Sequence, residues 1–290
     1  MSDVVAVETG LGGIGTRGRL SSIPPVILLC FLIIGGAVFV AIFGRLIAPY
    51  SPGQQNVANV LQKASAEHWL GTDALGRDIL SRILAGARTA LVGPIVIAAA
   101  SMVIGNALGL LAGYRGGRVE AVIMRWVDFM WAVPGLLIMI VVVGQFGGGY
   151  WMAVAVLLVL TIPFDTRVIR GATLEQAPRP YVEAARSLGV SDWRIMGLHI
   201  WPNVSHVAVA NTCLVFASSL VALSSLSYLG LGLSPGTPDW GLMVAEERND
   251  LFVSPIAPLA PALAIVITAT SLNLIGDWFY ERLSSRGATR

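Results

Sequence analysis

His199 and His206 precede a run of hydroxyl side chains, Ser218, Ser219, Ser224, Ser225 and Ser227, and in another setting such groups would supply a base and a nucleophile. Both histidines, however, lie in or beside a polar segment at one end of an apolar run that holds the serines. Hydrolysis is therefore a poor reading. Ion-coupled transport would need carboxylates inside apolar runs. Asp128 and Asp277 fall near the ends of such runs, and Asp165 lies close to Arg167. Cys30 and Cys213 stand singly in apolar surroundings, with no metal-ligand spacing and no disulfide framework.

The segment Tyr181-Val-Glu-Ala-Ala-Arg-Ser-Leu-Gly189, continued to His199, Pro202 and Asn203, offers recognition instead. Glu183 sits where a carboxylate complements the positive end of a helix dipole. Ala184 and Ala185 keep one surface small, Arg186 follows, and Gly189 has the place of a residue just past a helix C-terminus. A second short helix is expected from Ser191 or Asp192, either able to cap it, and is expected to stop before Pro202. Two stubby helices around a glycine make a rigid knob that another protein would grip.

The elements that must position this knob are apolar. Hydrophobic residues make up 55% of the 290-residue chain and charged residues 12%, with mean hydropathy +0.74. An ordinary soluble domain carries about 25% charged residues, so this composition describes an integral membrane protein in contact with lipid. A net charge of +2 with dispersed arginines gives nucleic acid no footprint. About six spans are expected: 26–48, 91–114, 122–145, 150–169, 204–228 and 256–279. Pro134 and Pro163 lie inside two of them and mark expected bends.

An even span count puts both termini on one side, with the connections 115–125 and 167–203. That side collects Arg17, Arg19, Arg115, Arg118, Arg125, Arg167, Arg170, Arg179, Arg186, Arg194, Arg282, Arg286 and Arg290, so it is expected to be cytoplasmic. The organisation expected is a cytoplasmic segment 1–25, a first helix 26–48, an extracytoplasmic loop 49–90, a five-helix core 91–280 containing the polar loop 171–203, and a tail 281–290. Within 49–90, mixed charges with Ile79, Leu80, Ile83 and Leu84 on one face suggest an amphipathic helix lying at the outer interface. The other outer connection, 229–255, carries Asp239, Glu246, Glu247 and Asp250 and reads as a solvated acidic loop, or else as a contact surface or an outer gate.

Ser101, Gly105, Gly109 and Gly113 recur every fourth residue, a small-residue ridge that lets another backbone approach closely, within this chain or across a subunit interface. Asn211, Thr212, Ser218, Ser219 and Ser225 make the fifth span unusually polar. These groups are either interhelical hydrogen-bonding partners or the wall of a passage for a polar solute.

Glu183-Ala184-Ala185 with Gly189 resembles the cytoplasmic loop signature of permease subunits of bacterial ABC importers. Four further stretches resemble the second membrane subunit of the dipeptide, oligopeptide and nickel importers. These are His68-Trp-Leu-Gly-Thr-Asp-Ala-Leu-Gly-Arg-Asp78 with Ser81-Arg82; Gly116-Gly117 through Met124-Arg125 and 128–134; Ser225-Leu-Ser-Tyr-Leu-Gly-Leu-Gly-Leu-Ser-Pro-Gly236 with Asp239-Trp240-Gly241; and Asn273 to Asp277. Leu283-Ser-Ser-Arg286 departs from the family's Leu-Asp-Pro-Arg.

The resemblance implies an all-α, type I importer permease fold in the plasma (cell inner) membrane, working by alternating access. Its implied partners are a homologous permease subunit, two ATPase subunits and an extracytoplasmic solute-binding protein. ATP and Mg would be bound by the ATPases, since this chain has no phosphate-binding Gly-rich Lys-Ser/Thr loop. The same resemblance gives Tyr181, Glu183, Ala184, Ala185, Arg186, Gly189, His199 and Pro202 the coupling role. Peptides are the expected cargo, with nickel as the alternative and an ion-coupled secondary transporter as the rival class.

Overall fold

A computed structural model describes residues 23–146 and 149–287, the last five of these in backbone only. Residues 1–22 with Arg17 and Arg19, the Gly147-Gly148 pair, and the end of the tail with Arg290 lie outside the described residues. The long helices are α1 (Pro25–Ile47), α2 (Ile79–Arg115), α5 (Gly149–Gln176), α8 (Trp201–Tyr228) and α10 (Ile256–Gly287). Each has the length and apolarity to cross a membrane. Between α2 and α5, α3 (Gly117–Trp131) and α4 (Gly135–Phe146) meet at 75° around Pro134 and together make the sixth apolar stretch. Pro134 lacks the N–H that would continue the ladder, which is why the expected third span is broken here.

Short helices sit at both ends of the bundle. α6 (Pro180–Ser187) and α7 (Asp192–Arg194) follow α5 at one end, called here the knob end; α9 (Trp240–Glu246) follows α8 at the other, the cap end. Among the described residues the sole β pairing is an isolated bridge between Thr72 and Asp78.

The core of the bundle is α2 on α5. An ideal Cβ on Gly109 would lie 2.8 Å from the Ile169 Cβ, and one on Gly113 would lie 2.6 Å from that of Thr173; Gly105 similarly abuts Asp165. The small-residue ridge therefore serves a helix crossing inside this chain, where only glycine fits. Higher up, the Tyr150 hydroxyl enters the α2 ladder, donating to Thr89 O at 2.6 Å and accepting from Gly93 N at 2.8 Å. Pro94 follows directly and removes another ladder donor, so the inserted hydroxyl satisfies backbone groups at an opened turn.

The interfacial helix expected within 49–90 does not form as a separate element. Residues 50–78 are mostly irregular, and α2 runs unbroken from Ile79 into the second span. Ile79 is buried but so is Arg82, so the mixed charges face a protein interior rather than a lipid–water boundary.

Candidate functional site

The knob is built around α6. Val182 and Ala185 turn inward onto a cluster with Ile169, Ile195, Ile200 and Val204, while Glu183, Ala184 and Arg186 face outward. Ala185 thus holds the knob to the bundle, and Tyr181 does the same by packing on this cluster, donating to Gln176 Oε1 at 3.0 Å and accepting from Asn203. Gly189 ends α6 with φ +75°, a left-handed conformation that costs other residues roughly 1–2 kcal/mol.

After Gly189 the structure differs from expectation. The second short helix does not stop before Pro202: α7 passes through a widened π-helical stretch, Ile195–Ile200, directly into α8, with Pro202 in its first turn. A proline ring crowds the carbonyl four residues earlier, and the wider turn is the local way to accommodate it. Neither Ser191 nor Asp192 caps the helix with its side chain. Asp192 instead accepts from the Tyr114 hydroxyl at 3.1 Å and lies 3.3 Å from Arg115 at the end of α2. Arg186 stacks on the Tyr114 ring at 5.4 Å. Proximity to Tyr114 and the carboxylates of Asp192 and Glu183 holds the Arg186 guanidinium above its ordinary pKa. His199 is half-buried near its own turn, with Nδ1 3.4 Å from Arg194 O.

The span-five polar residues divide. Asn211 is buried and donates to Asp165 Oδ1, while Ser101 donates to Oδ2 of the same carboxylate. These bonds tie α2, α5 and α8 together. Thr212 turns back onto Ala208 O and Ser219 is buried without a partner for its Oγ. Ser218 lines an open cavity of 760 Å³ between α5, α8 and α10, with Leu160, Thr161, Phe164, Leu214 and Asn273. Ser225 lines a second, almost wholly apolar cavity of 360 Å³ beside Leu136, Tyr228 and Val266.

At the cap end the acidic connection 229–255 is not a solvated loop. Glu246 accepts from Arg77 at 2.9 Å, from Arg82 at 2.7 Å and from Gly236 N at 2.7 Å. Asp73 accepts from the same arginines, at 2.6 Å and 2.5 Å. Burial works against the Glu246 charge, but Arg82, Gly236 N and Arg77 outweigh it and hold its pKa below the ordinary value. Glu247 is pushed up to about 6 by burial and by the Asp73 charge. Asp239 caps α9 through Leu242 N, and burial raises its pKa. Alongside, His68 Nδ1 lies 2.8 Å from Asp78, whose other oxygen caps α2 by accepting from Ser81 N at 2.8 Å. Two sequence stretches 169 residues apart are thus one structure, a pairing that no local pattern in either stretch signals. Gly232-Leu-Ser-Pro-Gly236 in this cap has the spacing of a hydrolase nucleophile turn, but it follows a helix where that turn needs a strand before it.

Residues 105–287 match the family described as the binding-protein-dependent transport system inner membrane component. The glutathione transport system permease protein GsiD of Pectobacterium atrosepticum is 38% identical over 250 residues, covering 86% of this chain and 83% of the relative. That of Escherichia coli O6:K15:H31 is 39% identical, covering 86% of this chain and 82% of the relative. Among solved structures, an inward-facing conformation of the MetNI methionine ABC transporter aligns with TM-score 0.57 and 17% identity, covering 69% of this chain and 95% of that one. At that identity the likeness shows the fold alone. Family match and relatives together make this chain a member of the binding-protein-dependent importer family, a membrane-spanning permease subunit of an ABC importer.

Proposed function

We propose that this permease moves short peptides, and that the knob receives the stroke of separate ATPase subunits. The observation that supports the coupling role is exposed apolar surface at the knob: Leu188, Leu198 and Trp193 are 83%, 69% and 68% exposed, clear of the inward-packed face of α6. Aromatic and aliphatic side chains left open beside a rigid element fit a protein partner. Glu183, Ala184, Arg186, Gly189, His199 and Pro202 border this surface, and ATP with its Mg is bound by the partner. The knob end is cytoplasmic, with both termini.

The peptide reading follows from the glutathione permease relatives, because glutathione is a tripeptide. The passage lies between this subunit and a homologous permease, with Ser218 on its wall, and an extracytoplasmic solute-binding protein delivers cargo at the cap end.

Co-purification from membranes tests coupling: an ATPase accompanies the wild-type chain, and Glu183→Arg and Gly189→Trp lose it. An unchanged ATPase yield in both variants would overturn the docking role. For cargo, growth on tripeptides as sole amino-acid source is expected to require this chain, and rescue by nickel alone would replace peptide with metal.

A further inference from the structure

We infer that Asp128 and Arg167, with the rings of Trp131 and Phe164, form a binding station for the free ammonium and carboxylate ends of a peptide, on the knob side of the larger cavity. The inference rests on the peptide-permease reading above. Phe164 lines the 760 Å³ cavity. Trp131 stacks on it, with centroids 6.4 Å apart and planes at 16°, and the Arg167 guanidinium carbon stands 4.4 Å from the Trp131 centroid. Arg167 Nη2 donates to Asp128 Oδ1. The four side chains are therefore continuous with the cavity wall.

Helical spacing carries the same surface onward. Leu160, Phe164, Arg167 and Gly171 are separated by four, three and four residues, which places them on one stripe of α5. An ideal Cβ on Gly171 would meet nothing within 4 Å, so the stripe stays open toward the knob end. Arg167 stands nine residues before the end of α5, about 13 Å along the axis from the knob-side terminus.

Exposure decides what this face meets. The side chains of Arg167 and Asp128 are 40% and 62% exposed. An ion pair that open would be costly against lipid tails, so it faces a hydrated space. It is also incompletely committed: one guanidinium nitrogen holds one carboxylate oxygen, and Arg167 Nε is buried without a partner. An exposed pair of this kind contributes little to stability and opens readily. A zwitterionic peptide offers a carboxylate to the guanidinium fork and an ammonium to Asp128, replacing one ion pair by two. Its aliphatic body lies over the Trp131 and Phe164 rings. The arginines of the cap have no such freedom, since both are already held between carboxylates.

The test uses the assembled importer purified free of its binding protein. Saturation-transfer NMR is recorded with millimolar trialanine, N-acetyl-trialanine and trialanine amide. The wild-type complex is expected to bind trialanine about tenfold more tightly than either capped form, a typical strength for one charge-assisted contact. Arg167→Gln should erase the difference between acid and amide while keeping that between amine and acetyl; Asp128→Asn should do the reverse. Arg167→Lys, which keeps the charge, should retain discrimination and guards against a merely misfolded variant. Absence of saturable binding, or variants that lose all three ligands equally, would overturn the station. If the complex, supplied with ATP and its solute-binding protein, takes up no peptide in vesicles, the peptide reading falls first. If it does and the variants still discriminate, this inference alone falls.

Discussion

Arg77 and Arg82 at the cap end have side chains 3% and 1% exposed and share Asp73 and Glu246 between them, whereas Arg115 and Asp192 at the knob end meet at 3.3 Å with 44% of each side chain exposed. One end of the bundle closes its charges inside protein; the other leaves them to solvent and relies on the apolar cluster beneath α6. The difference fits the coupling role proposed for the knob. A buried ion network is stiff, because removing either partner strands a charge. A knob that moves with a partner needs an apolar anchor to the bundle and an adaptable rim. On the coupling role proposed for the knob, the cap is expected to act as a fixed wall and the motion to fall at the knob.

Asp73→Ala should break this contrast most severely. The substitution leaves Arg77 and Arg82 buried with Glu246 and the more distant Glu247 as their remaining carboxylates, and losses on removing one member of a buried pair run to about 3–5 kcal/mol. Proteolytic nicking within residues 50–78 should rise sharply while the ATPase still co-purifies. If the cap resists protease as before, the network is not what holds it.

Gly189→Val should come second. A β-branched residue at φ +75° costs on the order of 1–3 kcal/mol, and the strain falls on the α6–α7 connection alone. Peptide transported per ATP hydrolysed is expected to drop with the cap's protease resistance unchanged. Equal damage at both ends would show that cap and knob are not independent.

These two predictions draw on parts that differ in legibility. Gly189 could be read from its neighbours, because helix termination is local: the apolar pattern of α6 stops and glycine follows. The ridge at Ser101, Gly105, Gly109 and Gly113 was equally plain as a surface, since spacing on one helix needs no knowledge of another. Its partner, the Asp165, Ile169 and Thr173 face of α5, was not, because helix pairing is decided by the whole bundle. The acidic residues of 229–255 looked solvated for the same reason: a carboxylate's state depends on what folds against it, and Arg77 and Arg82 come from far away in the chain. Pro134 announced a bend but not its 75° size. Asn211 and Ser225 were grouped by type, yet helical position sends one into a buried bond with Asp165 and the other to a cavity wall.

Proton dependence sharpens the comparison at a finer scale. Glu247 has its folded pKa raised from 4.5 to about 6, so protonation favours the closed cap. Its stabilising contribution is complete below about 4.5 and is lost as pH rises through about 6. Glu246 has the opposite sign: its pKa is lowered, so its contribution is present at higher pH and is lost as pH falls through the acid range. Glu247→Gln should therefore flatten the decline in cap protection between about pH 4.5 and 6, and Glu246→Gln should remove the decline on the acid side.

Arg115→Ala should have the smallest effect on stability. The Arg115–Asp192 pair is surface-exposed, and pairs of that kind contribute roughly 0–1 kcal/mol. Asp192 also keeps its bond from Tyr114, and the knob keeps Val182, Ala185, Ile195 and Ile200 packed beneath it. Unfolding should scarcely change, and co-purification with the ATPase should persist. A salt titration separates the two ends in the same way: raising ionic strength to about 1 M shortens the screening length to about 3 Å, which weakens an exposed pair and leaves a buried one nearly untouched. Wild-type cap protection should then be salt-insensitive while the small contribution of Arg115 vanishes. A salt-sensitive cap would mean that water reaches Asp73 and Arg82, and the division between a rigid wall and a yielding knob would have to be abandoned.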